Sequence, residues 1–243
     1  MEVLEKDNIN KLFDAGAHFG YSRARRHPKM KEFIFALRNN IEIIDLKRLE
    51  DKIKNAEKFI HSLGKEGKYI IFAGTKPNAK EIIKKIGTRL KMPYVSERWL
   101  GGTLTNMKVI AGRLSHLKKL EEEEKTNGFQ KYVKKERIKK LQEIEKLKKM
   151  FDGIRQLNGL PHAMIIVDPV KEKTAFSEAQ KKNIPIIALM NVNCNPVGIA
   201  YPIPMNDNSF SATSLVLEMF ASAYENGVKE KPEILPSEEI EAK

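Results

Sequence analysis

Continuous runs of apolar residues constrain the fold of this chain more than any other feature. They lie at residues 69–73, 163–167 and 186–190, and shorter strands are predicted at 94–95 and 201–203. Residues with helical spacing separate the runs and predict helices at 8–15, 48–63, 77–90, 173–182 and from 209 to about 224. Apolar strands without alternation, separated by helices, indicate an α/β fold with a parallel sheet that is covered on both faces.

The segment before this sheet predicts a basic loop and a β-hairpin. Residues 22–31 carry five Lys or Arg and no acid, and Pro28 disfavours a helix at His27. Apolar residues at 33–35 and 41–44 flank a polar turn. We therefore expect an extended basic loop that leads into two antiparallel strands.

Residues 104–158 interrupt the alternation of strands and helices and predict a separate helical hairpin. Apolar residues recur there at three- and four-residue spacing: Met107, Ile110, Leu114 and Leu117, then Ile144, Leu147, Phe151 and Ile154. The helix breaker Asn127-Gly128 lies between the two seams, as expected for an antiparallel coiled-coil hairpin whose seams face each other. Two surface helices packed on the sheet are the alternative, which fits the narrow seams less well.

These patterns divide the chain into three parts. Residues 1–103 and 159–227 form the sandwich domain, and residues 104–158 form a hairpin that we expect to project from it, because two helices alone have too little core for a compact domain. Residues 228–243 are rich in Pro, Glu and Lys, and we expect this tail to be disordered.

The positive charge is concentrated in two places. The chain has 44 Lys or Arg against 32 Asp or Glu, a formal net charge of +12. Residues 108–150 hold 14 cations against 7 acids, and residues 22–31 hold five more cations. Such local excess is expected where a protein contacts a polyanion. Lysine-rich helix faces that are simply well solvated are the alternative explanation.

Composition excludes several classes of protein. The one cysteine, Cys194, excludes a disulfide framework and a cysteine-based metal cluster. No run of about 18 apolar residues could span a bilayer, and the first residues lack the apolar core of a signal peptide. We expect a soluble, intracellular protein without a membrane partner.

Catalytic motifs are weak. The turn Gly74-Thr75-Lys76-Pro77 has one glycine where a dinucleotide-binding turn has three, and no GxxxxGK[ST] phosphate loop occurs. The helix start after Gly74 could hold an anion with help from Lys76, but an ordinary strand-to-helix turn explains the same residues. The five histidines lack metal-ligand spacing, and Cys194 has no activating partner in the sequence. We therefore predict no enzyme, no cofactor and no small-molecule substrate.

Nucleic acid is the better partner for these residues. The candidate RNA-binding cations are Arg23, Arg25, Arg26, Lys29 and Lys31 in the basic loop, Arg98 beside the Gly101-Gly102 loop, and Lys108 and Arg113 at the start of the hairpin. Cations in a loop can follow a phosphate backbone, and Tyr21 and His27 can stack on bases. Trp99 either stacks on a base or fills the corner where the hairpin joins the sheet; we expect packing, because Trp is usually largely buried.

Five segments occur together in the order of a known family. They are GAHFG at 16–20 with the basic loop and HPKMKEFIF, AGTK at 73–76, RWLGGTLTN at 98–106, GLPHAMIIVD at 159–168, and residues 193–196 followed by YPIP. Over about residues 5–227 the chain resembles small-ribosomal-subunit protein number two, of the bacterial or plastid type. The resemblance implies a flavodoxin-like αβα sandwich with a mostly parallel sheet and an inserted, protruding coiled-coil hairpin.

The resemblance also implies a function. Members lie on the solvent side of the small subunit, between head and body, and contact ribosomal RNA and neighbouring small-subunit proteins. In bacteria they help to hold the large messenger-binding protein. We therefore expect a structural constituent of the small ribosomal subunit, on cytoplasmic ribosomes or on those of an organelle. A nucleotide- or metal-binding enzyme on a doubly wound fold is the alternative, and a free RNA-binding regulator is a third possibility.

The chain departs from the family pattern around one region. The family commonly reads Asp-Thr-Asn-x-Asp-Pro and Ile-Pro-Gly-Asn-Asp-Asp, where this chain reads Asn-Val-Asn-Cys-Asn-Pro at 191–196 and Ile-Pro-Met-Asn-Asp-Asn at 203–208. Three carboxylates are thus amides, Asn208 among them, and Tyr21 replaces a second histidine. Because hard cations prefer carboxylate oxygens, we predict no bound metal; His18 and Asp207 are the only candidate ligands.

Overall fold

The computed structural model describes residues 2–230 apart from 127 and 158, without the side chains of residues 2–7 and 130. The helices and strands are α1 (Glu2–Asp14), β1 (Phe19–Ser22), β2 (Ile34–Arg38), β3 (Ile41–Ile44), α2 (Leu46–Lys65), β4 (Ile70–Ala73), α3 (Pro77–Leu90), β5 (Tyr94–Val95), α4 (Met107–Lys125), α5 (Lys134–Phe151), β6 (Ala163–Val167), α6 (Lys173–Lys181), β7 (Ile186–Met190), β8 (Tyr201–Pro204) and α7 (Phe210–Lys229). Short 3-10 helices span Arg23–Arg25, Pro28–Phe33, Gly128–Lys131 and Asp152–Ile154.

A five-stranded sheet forms the centre of the fold. Its strand order is β5-β4-β6-β7-β8, and all neighbouring strands are parallel. Numbered within this sheet, the order is 2-1-3-4-5, the flavodoxin-like order of doubly wound folds. The predicted α/β fold is therefore confirmed. The order reverses between β4 and β6, and the crevice beyond the carboxyl ends of these strands is where such folds bind ligands.

The strand residues divide between two cores because successive side chains point to opposite faces. Ile70 and Phe72 belong to the core on one face, which helices α1, α2, α3 and α7 cover. Ile71 and Ala73 belong to the core on the other face, where α6 packs together with residues from the Pro28–Phe33 helix and from the hairpin region. The sheet is thus buried on both sides, which explains its apolar strands without alternation.

The predicted β-hairpin is confirmed and is part of a separate antiparallel sheet. β2 pairs with β3, and the turn residues Asn39 and Asn40 have φ values of 48° and 62°. Both values lie in the left-handed region that asparagine tolerates, as a two-residue hairpin turn requires. β1 pairs with the other edge of β3. β1 was not predicted from the sequence.

The expectation of an extended basic loop was wrong. Residues 22–31 contain one short 3-10 helix and most of a second, Pro28–Phe33. Proline occupies the first turn of the second helix, where its missing N–H is not needed. The Nδ1 atom of His27 accepts a hydrogen bond from the backbone N–H of Lys29 at 3.3 Å. Pro28 therefore keeps His27 out of a helix, as predicted, and itself begins the 3-10 helix that follows.

Helices α4 and α5 make their most extensive contacts with each other and with the 3-10 helices beside them. Ile110, Leu117, Ile144 and Leu147, all from the two predicted seams, belong to one buried cluster. That cluster continues into the second core through Phe151. The breaker residue Asn127 lies outside the described residues. The projection of this hairpin from the sandwich stays a prediction.

Helix α7 is longer than the sequence analysis expected. It continues to Lys229, beyond both residue 224 and the domain boundary at residue 227. Residues 231–243 of the predicted tail lie outside the described residues. No helix in the described part of the chain is both long and apolar enough to cross a bilayer.

Candidate nucleic-acid interface

The basic segment, defined as residues 22–31, is fixed to the sandwich by buried contacts. Met30 is fully buried in the second core. The backbone N–H of His27 donates to the carbonyl oxygen of Val192 at 2.8 Å. The backbone N–H of Arg23 donates to the carbonyl oxygen of Asn40 at 3.2 Å. The segment is therefore tied to the β2–β3 turn and to the loop after β7, and it presents its cations from a defined backbone.

The five candidate cations of this segment have different environments. Arg23, Lys29 and Lys31 are exposed and form no ion pair with the residues that the structure describes. Arg26 is half-buried and its guanidinium donates to the Oε1 atom of Glu42 at 3.0 Å. The Glu42 side chain is 1% exposed, so Arg26 neutralises a buried carboxylate. Sequence reasoning placed Arg26 with the other cations because nothing local indicates this pair.

Arg25 is exposed and lies over an aromatic ring. Its guanidinium carbon is 5.4 Å from the centroid of the Tyr21 ring, a cation–π distance. The Tyr21 hydroxyl oxygen accepts a hydrogen bond from the Nδ2 atom of Asn208 at 2.7 Å. Tyr21, which the sequence analysis considered for base stacking, already has Arg25 over its ring.

Arg98 is exposed beside a loop that Glu178 organises. The two carboxylate oxygens of Glu178 accept hydrogen bonds from the backbone N–H groups of Gly102 at 2.7 Å and of Leu104 at 2.9 Å. They also accept from the Nε1 atom of Trp99 at 3.3 Å and from the N–H and hydroxyl of Thr105. Burial opposes ionisation of Glu178, but these hydrogen bonds outweigh it and lower the pKa of this carboxyl.

Trp99 is buried in the second core, as its predicted packing role requires. Glu178 itself was missed, because a lone glutamate within an amphipathic helix has the sequence signal of a solvated face.

The basic segment and Arg98 lie at the same edge of the sheet. Arg98 follows the carboxyl end of β5, and Val192, which contacts the basic segment, follows the carboxyl end of β7. In a parallel sheet these ends share one edge, and three strand spacings correspond to about 15 Å. Lys108 and Arg113 are exposed on α4. Among the residues that the structure describes, no hydrogen bond or ion pair joins them to the basic segment, so the eight candidates do not form one contact cluster.

A buried ionic group fills the crevice at the switch point. The Nζ atom of Lys76 lies 2.7 Å from carboxylate oxygens of both Asp168 and Asp207 and donates to the Oδ1 atom of Asn208 at 3.0 Å. The Nδ2 atom of Asn191 donates to Asp207 at 3.2 Å. We call Lys76, Asp168, Asp207, Asn191 and Asn208 the switch-point cluster; the first four are buried, and Asn208 is exposed at its rim. Lys76 is thus already neutralised by side chains of this chain and is not available to assist an anion.

The titration of the switch-point cluster follows from its burial. Burial lowers the pKa of Lys76, but the carboxylates of Asp207 and Asp168 outweigh this and raise it overall. Burial raises the pKa of Asp207 despite the contact with Lys76. Burial, with the nearby charges of Asp168 and Asp207, also raises the pKa of the Cys194 thiol to about 12. Cys194 therefore stays protonated and is a poor nucleophile.

The two candidate metal ligands have other neighbours. The His18 ring is stacked on Phe13 with centroids 4.6 Å apart, and the Phe19 ring lies 4.1 Å away. Asp207 contacts Lys76 and Asn191. Within the described residues, no group of three or more His, Cys, Asp or Glu side chains is placed to hold a metal ion.

Comparison with known proteins identifies the family. The family model described as ribosomal protein S2 matches residues 12–227. The chain belongs to this family. It is 43% identical over 221 residues to small ribosomal subunit protein uS2 of Mycobacteroides abscessus, which covers 91% of this chain and 80% of that protein. The proteins of the same name from Nocardia farcinica and Mycolicibacterium vanbaalenii are 43% and 44% identical and cover 91% of this chain and 78% and 81% of their own lengths.

Family membership decides between the two main hypotheses. The family consists of ribosomal proteins and not of enzymes, so the predicted family and the non-enzymatic role are confirmed. The alternative of a nucleotide- or metal-binding enzyme is not supported. The geometry agrees, because the crevice in which that alternative needs a ligand holds the switch-point cluster instead.

Proposed function

We propose that this chain is a structural constituent of the small ribosomal subunit and binds ribosomal RNA through the exposed cations at the carboxyl edge of its sheet. The observation that carries the proposal is the basic segment. Arg23, Arg25, Lys29 and Lys31 are exposed on a backbone that is anchored by buried Met30 and by hydrogen bonds to two neighbouring loops. Cations on a fixed backbone suit phosphate contacts, which position a protein on RNA.

Arg26 has a different role in this proposal. Because it pairs with buried Glu42, its removal would leave an uncompensated carboxylate in the fold. A loss of RNA binding in an Arg26 variant would therefore report both on folding and on phosphate contact. The informative substitutions are those of exposed cations without such a partner.

The experiment compares two triple variants of the full chain. The first carries Arg23→Gln, Lys29→Gln and Lys31→Gln. The second carries Lys65→Gln, Lys91→Gln and Lys229→Gln, which remove the same charge from exposed positions at the carboxyl ends of α2, α3 and α7. These helix ends lie at the opposite, amino edge of the parallel strands.

Binding to small subunits depleted of this protein is measured by co-sedimentation over a range of salt concentrations. The first variant should bind more weakly, and its affinity should depend less steeply on salt. The magnitude of the slope of log affinity against log salt should decrease by about 2 to 3, because about one counterion is released for each phosphate contact. The second variant should bind like the unmodified chain. Equal losses in both variants would show that only net charge matters and would overturn the role of the basic segment.

We extend the proposal to the helical hairpin and to protein partners. Lys108 and Arg113 are exposed near the base of a hairpin that we take to project from the sandwich as an arm of residues 104–158. One apolar patch is also exposed on the sandwich: Phe13 is 56% and Phe35 is 75% exposed, and both line a 350 Å³ pocket. Exposed apolar patches mark protein contacts.

The partners at these surfaces are neighbouring small-subunit proteins. In a bacterial ribosome we include the large messenger-binding protein among them. The amount of that protein retained on the reconstituted subunits is the readout for this part of the proposal. The ribosomes concerned are those of the bacterial cytoplasm or of an organelle.

A further inference from the structure

A continuous series of contacts runs from buried Lys76 through the exposed side chain of Asn208 and through Tyr21 to exposed Arg25. Lys76 donates to the Oδ1 atom of Asn208 at 3.0 Å, and the Nδ2 atom of Asn208 donates to the Tyr21 hydroxyl at 2.7 Å. The Tyr21 ring lies 5.4 Å from the guanidinium carbon of Arg25. One amide side chain therefore connects an ion group inside the fold with a ring that supports an RNA-facing cation.

The chemistry of Asn208 determines how this link is oriented. Its carbonyl oxygen is its only acceptor and its NH₂ group its only donor. Lys76 can only donate, so the oxygen faces Lys76 and the NH₂ group faces Tyr21. The Tyr21 hydroxyl then accepts this bond, which restrains the position of the ring, and the Arg25 guanidinium lies over one ring face.

The backbone of the segment is held from the same cluster by a second route. Asn191 donates to Asp207 at 3.2 Å and accepts from the backbone N–H of Val192 at 2.8 Å. The carbonyl of Val192 in turn accepts from the N–H of His27. Gly20 packs so closely here that an added Cβ would lie 2.9 Å from Val192. The segment is thus anchored on both sides of Arg25.

The conformational freedom of an arginine side chain affects its affinity for RNA, because an exposed arginine loses this freedom when it binds a phosphate. An arginine already held against a ring has lost part of that freedom before binding. We propose that Tyr21 and Asn208 are positioning residues that hold Arg25 in its RNA-binding conformation, with the Lys76 ion group as their fixed support. This inference rests on the proposed RNA-binding function.

The test uses Tyr21→Phe, which keeps the ring and removes only the hydroxyl. Its matched control is Tyr224→Phe, because the Tyr224 hydroxyl also makes one hydrogen bond, to the carbonyl of Lys68 at 3.0 Å. Lys68 precedes β4 and so lies at the opposite edge of the sheet. Both variants lose one tyrosine hydrogen bond, but only Tyr21→Phe loses it beside the basic segment.

Affinity for depleted small subunits is measured for both variants, for Arg25→Gln, and for the double variant Tyr21→Phe/Arg25→Gln. Tyr21→Phe should weaken binding about two- to tenfold, the range expected when one long side chain must be immobilised on binding. Its salt slope should stay unchanged because no phosphate contact is removed, whereas Arg25→Gln should lower the slope by about 1. In the Arg25→Gln background, Tyr21→Phe should have no further effect. Tyr224→Phe should bind like the unmodified chain.

The outcomes separate this inference from the proposed function. If Arg25→Gln weakens binding but Tyr21→Phe does not, or if the two effects add fully in the double variant, the positioning role is wrong and RNA contact by Arg25 stands. If Arg25→Gln changes neither affinity nor slope, Arg25 does not contact RNA and both ideas fail for this residue. A loss in Tyr224→Phe equal to that in Tyr21→Phe would assign the effect to stability and overturn the inference.

Discussion

The switch-point cluster and the hairpin contain ion pairs of nearly equal length in opposite environments. In the cluster, Lys76 lies 2.7 Å from Asp168 and from Asp207, and the three side chains are at most 10% exposed. On the hairpin, Arg155 makes two hydrogen bonds to Glu121 at 2.8 and 2.7 Å, and the two side chains are 36% and 16% exposed. Burial and not distance distinguishes the two, and burial decides how much free energy depends on each pair.

The pKa values of the two carboxylates show this difference directly. Burial raises the pKa of Asp207 although Lys76 is in contact with it. Hydrogen bonds from Arg155 lower the pKa of Glu121 to about 2, because they outweigh the smaller opposing effect of its partial burial. The buried pair is therefore a compromise between desolvation and attraction, and removal of one partner should be costly only there.

The largest expected effect comes from Lys76→Met. This change leaves Asp168 and Asp207 buried without their cation, and the loss of one partner of a buried pair costs about 3–5 kcal/mol. Chemical unfolding should show that decrease at neutral pH. The loss should shrink as the pH falls, because protonation of the carboxylates removes the uncompensated charge.

A second variant keeps this prediction testable if Lys76→Met does not fold. The double change Lys76→Met/Asp207→Asn removes one of the two carboxylate charges and should recover part of the stability. If Lys76→Met costs less than about 1 kcal/mol, the range of exposed pairs, solvent reaches the cluster and the contrast with the hairpin disappears.

Glu178 sharpens the comparison because it is a buried carboxylate that accepts hydrogen bonds from the loop at 99–105 and, among the described residues, not from a cation. Glu178→Gln keeps the shape of the side chain but replaces one accepting oxygen by an NH₂ donor. The loop then loses hydrogen bonds to a charged group, and one of its N–H groups faces a donor instead of an acceptor. We expect a loss of about 2 kcal/mol, within the range for hydrogen bonds to charged groups.

Trp99 reports on this change, because it is the only tryptophan in the chain and donates to Glu178. Its fluorescence should shift towards that of a solvated indole in Glu178→Gln. Glu172→Gln is the matched control, because Glu172 is also a buried glutamate near α6 but accepts from Thr75. If Glu172→Gln shifted the Trp99 emission equally, the effect would not be specific to the loop that Glu178 holds.

Periodicity predicted the elements of the fold but not the polar contacts between them. The apolar runs at 163–167 and 186–190 need a buried parallel sheet whatever their neighbours are, so the prediction depended on local sequence alone. β1 was missed because Phe19–Ser22 has only four residues, includes a glycine, and is a strand through its pairing with β3. The 3-10 helix after Pro28 was missed because the buried Met30 that stabilises it packs on a distant core.

The exposed residues of the candidate site were predicted from local sequence, but the buried polar pairs that hold them were not. The exposed cations of the basic segment follow from local charge, and they were identified from the sequence. The partner of Arg26 is 16 positions away at Glu42, and Lys76 meets Asp207 across 131 positions. Each of these polar residues follows or lies in a strand, and no local pattern shows whether its side chain turns inward. Only the strand order brings them together.

The smallest expected effect is on the hairpin, in the variant Arg155→Met. Arg155 pairs with Glu121 and, at 2.7 Å, with Asp152. Because the Arg155 guanidinium is partly exposed to solvent, the loss of each pair should cost about 0.2–1 kcal/mol. The contribution of Glu121 should also depend on pH in a defined direction. Its pKa is lower in the folded chain, about 2 against 4.5, so the stabilisation is complete above pH 4.5 and is lost as the pH falls towards 2.

Hydrogen exchange of the backbone amides in α4 and α5 measures this contribution apart from the sandwich. In the unmodified chain, protection of these amides should decrease between pH 4.5 and 2, after correction for intrinsic exchange, and in Arg155→Met the same decrease should be smaller. Since Lys148 also lies 3.5 Å from Glu121, Lys148→Met is the control that removes the weaker partner and should leave most of the pH dependence. A loss of several kcal/mol in Arg155→Met would mean that this exposed pair behaves like the buried cluster, and bond geometry rather than burial would then set its contribution.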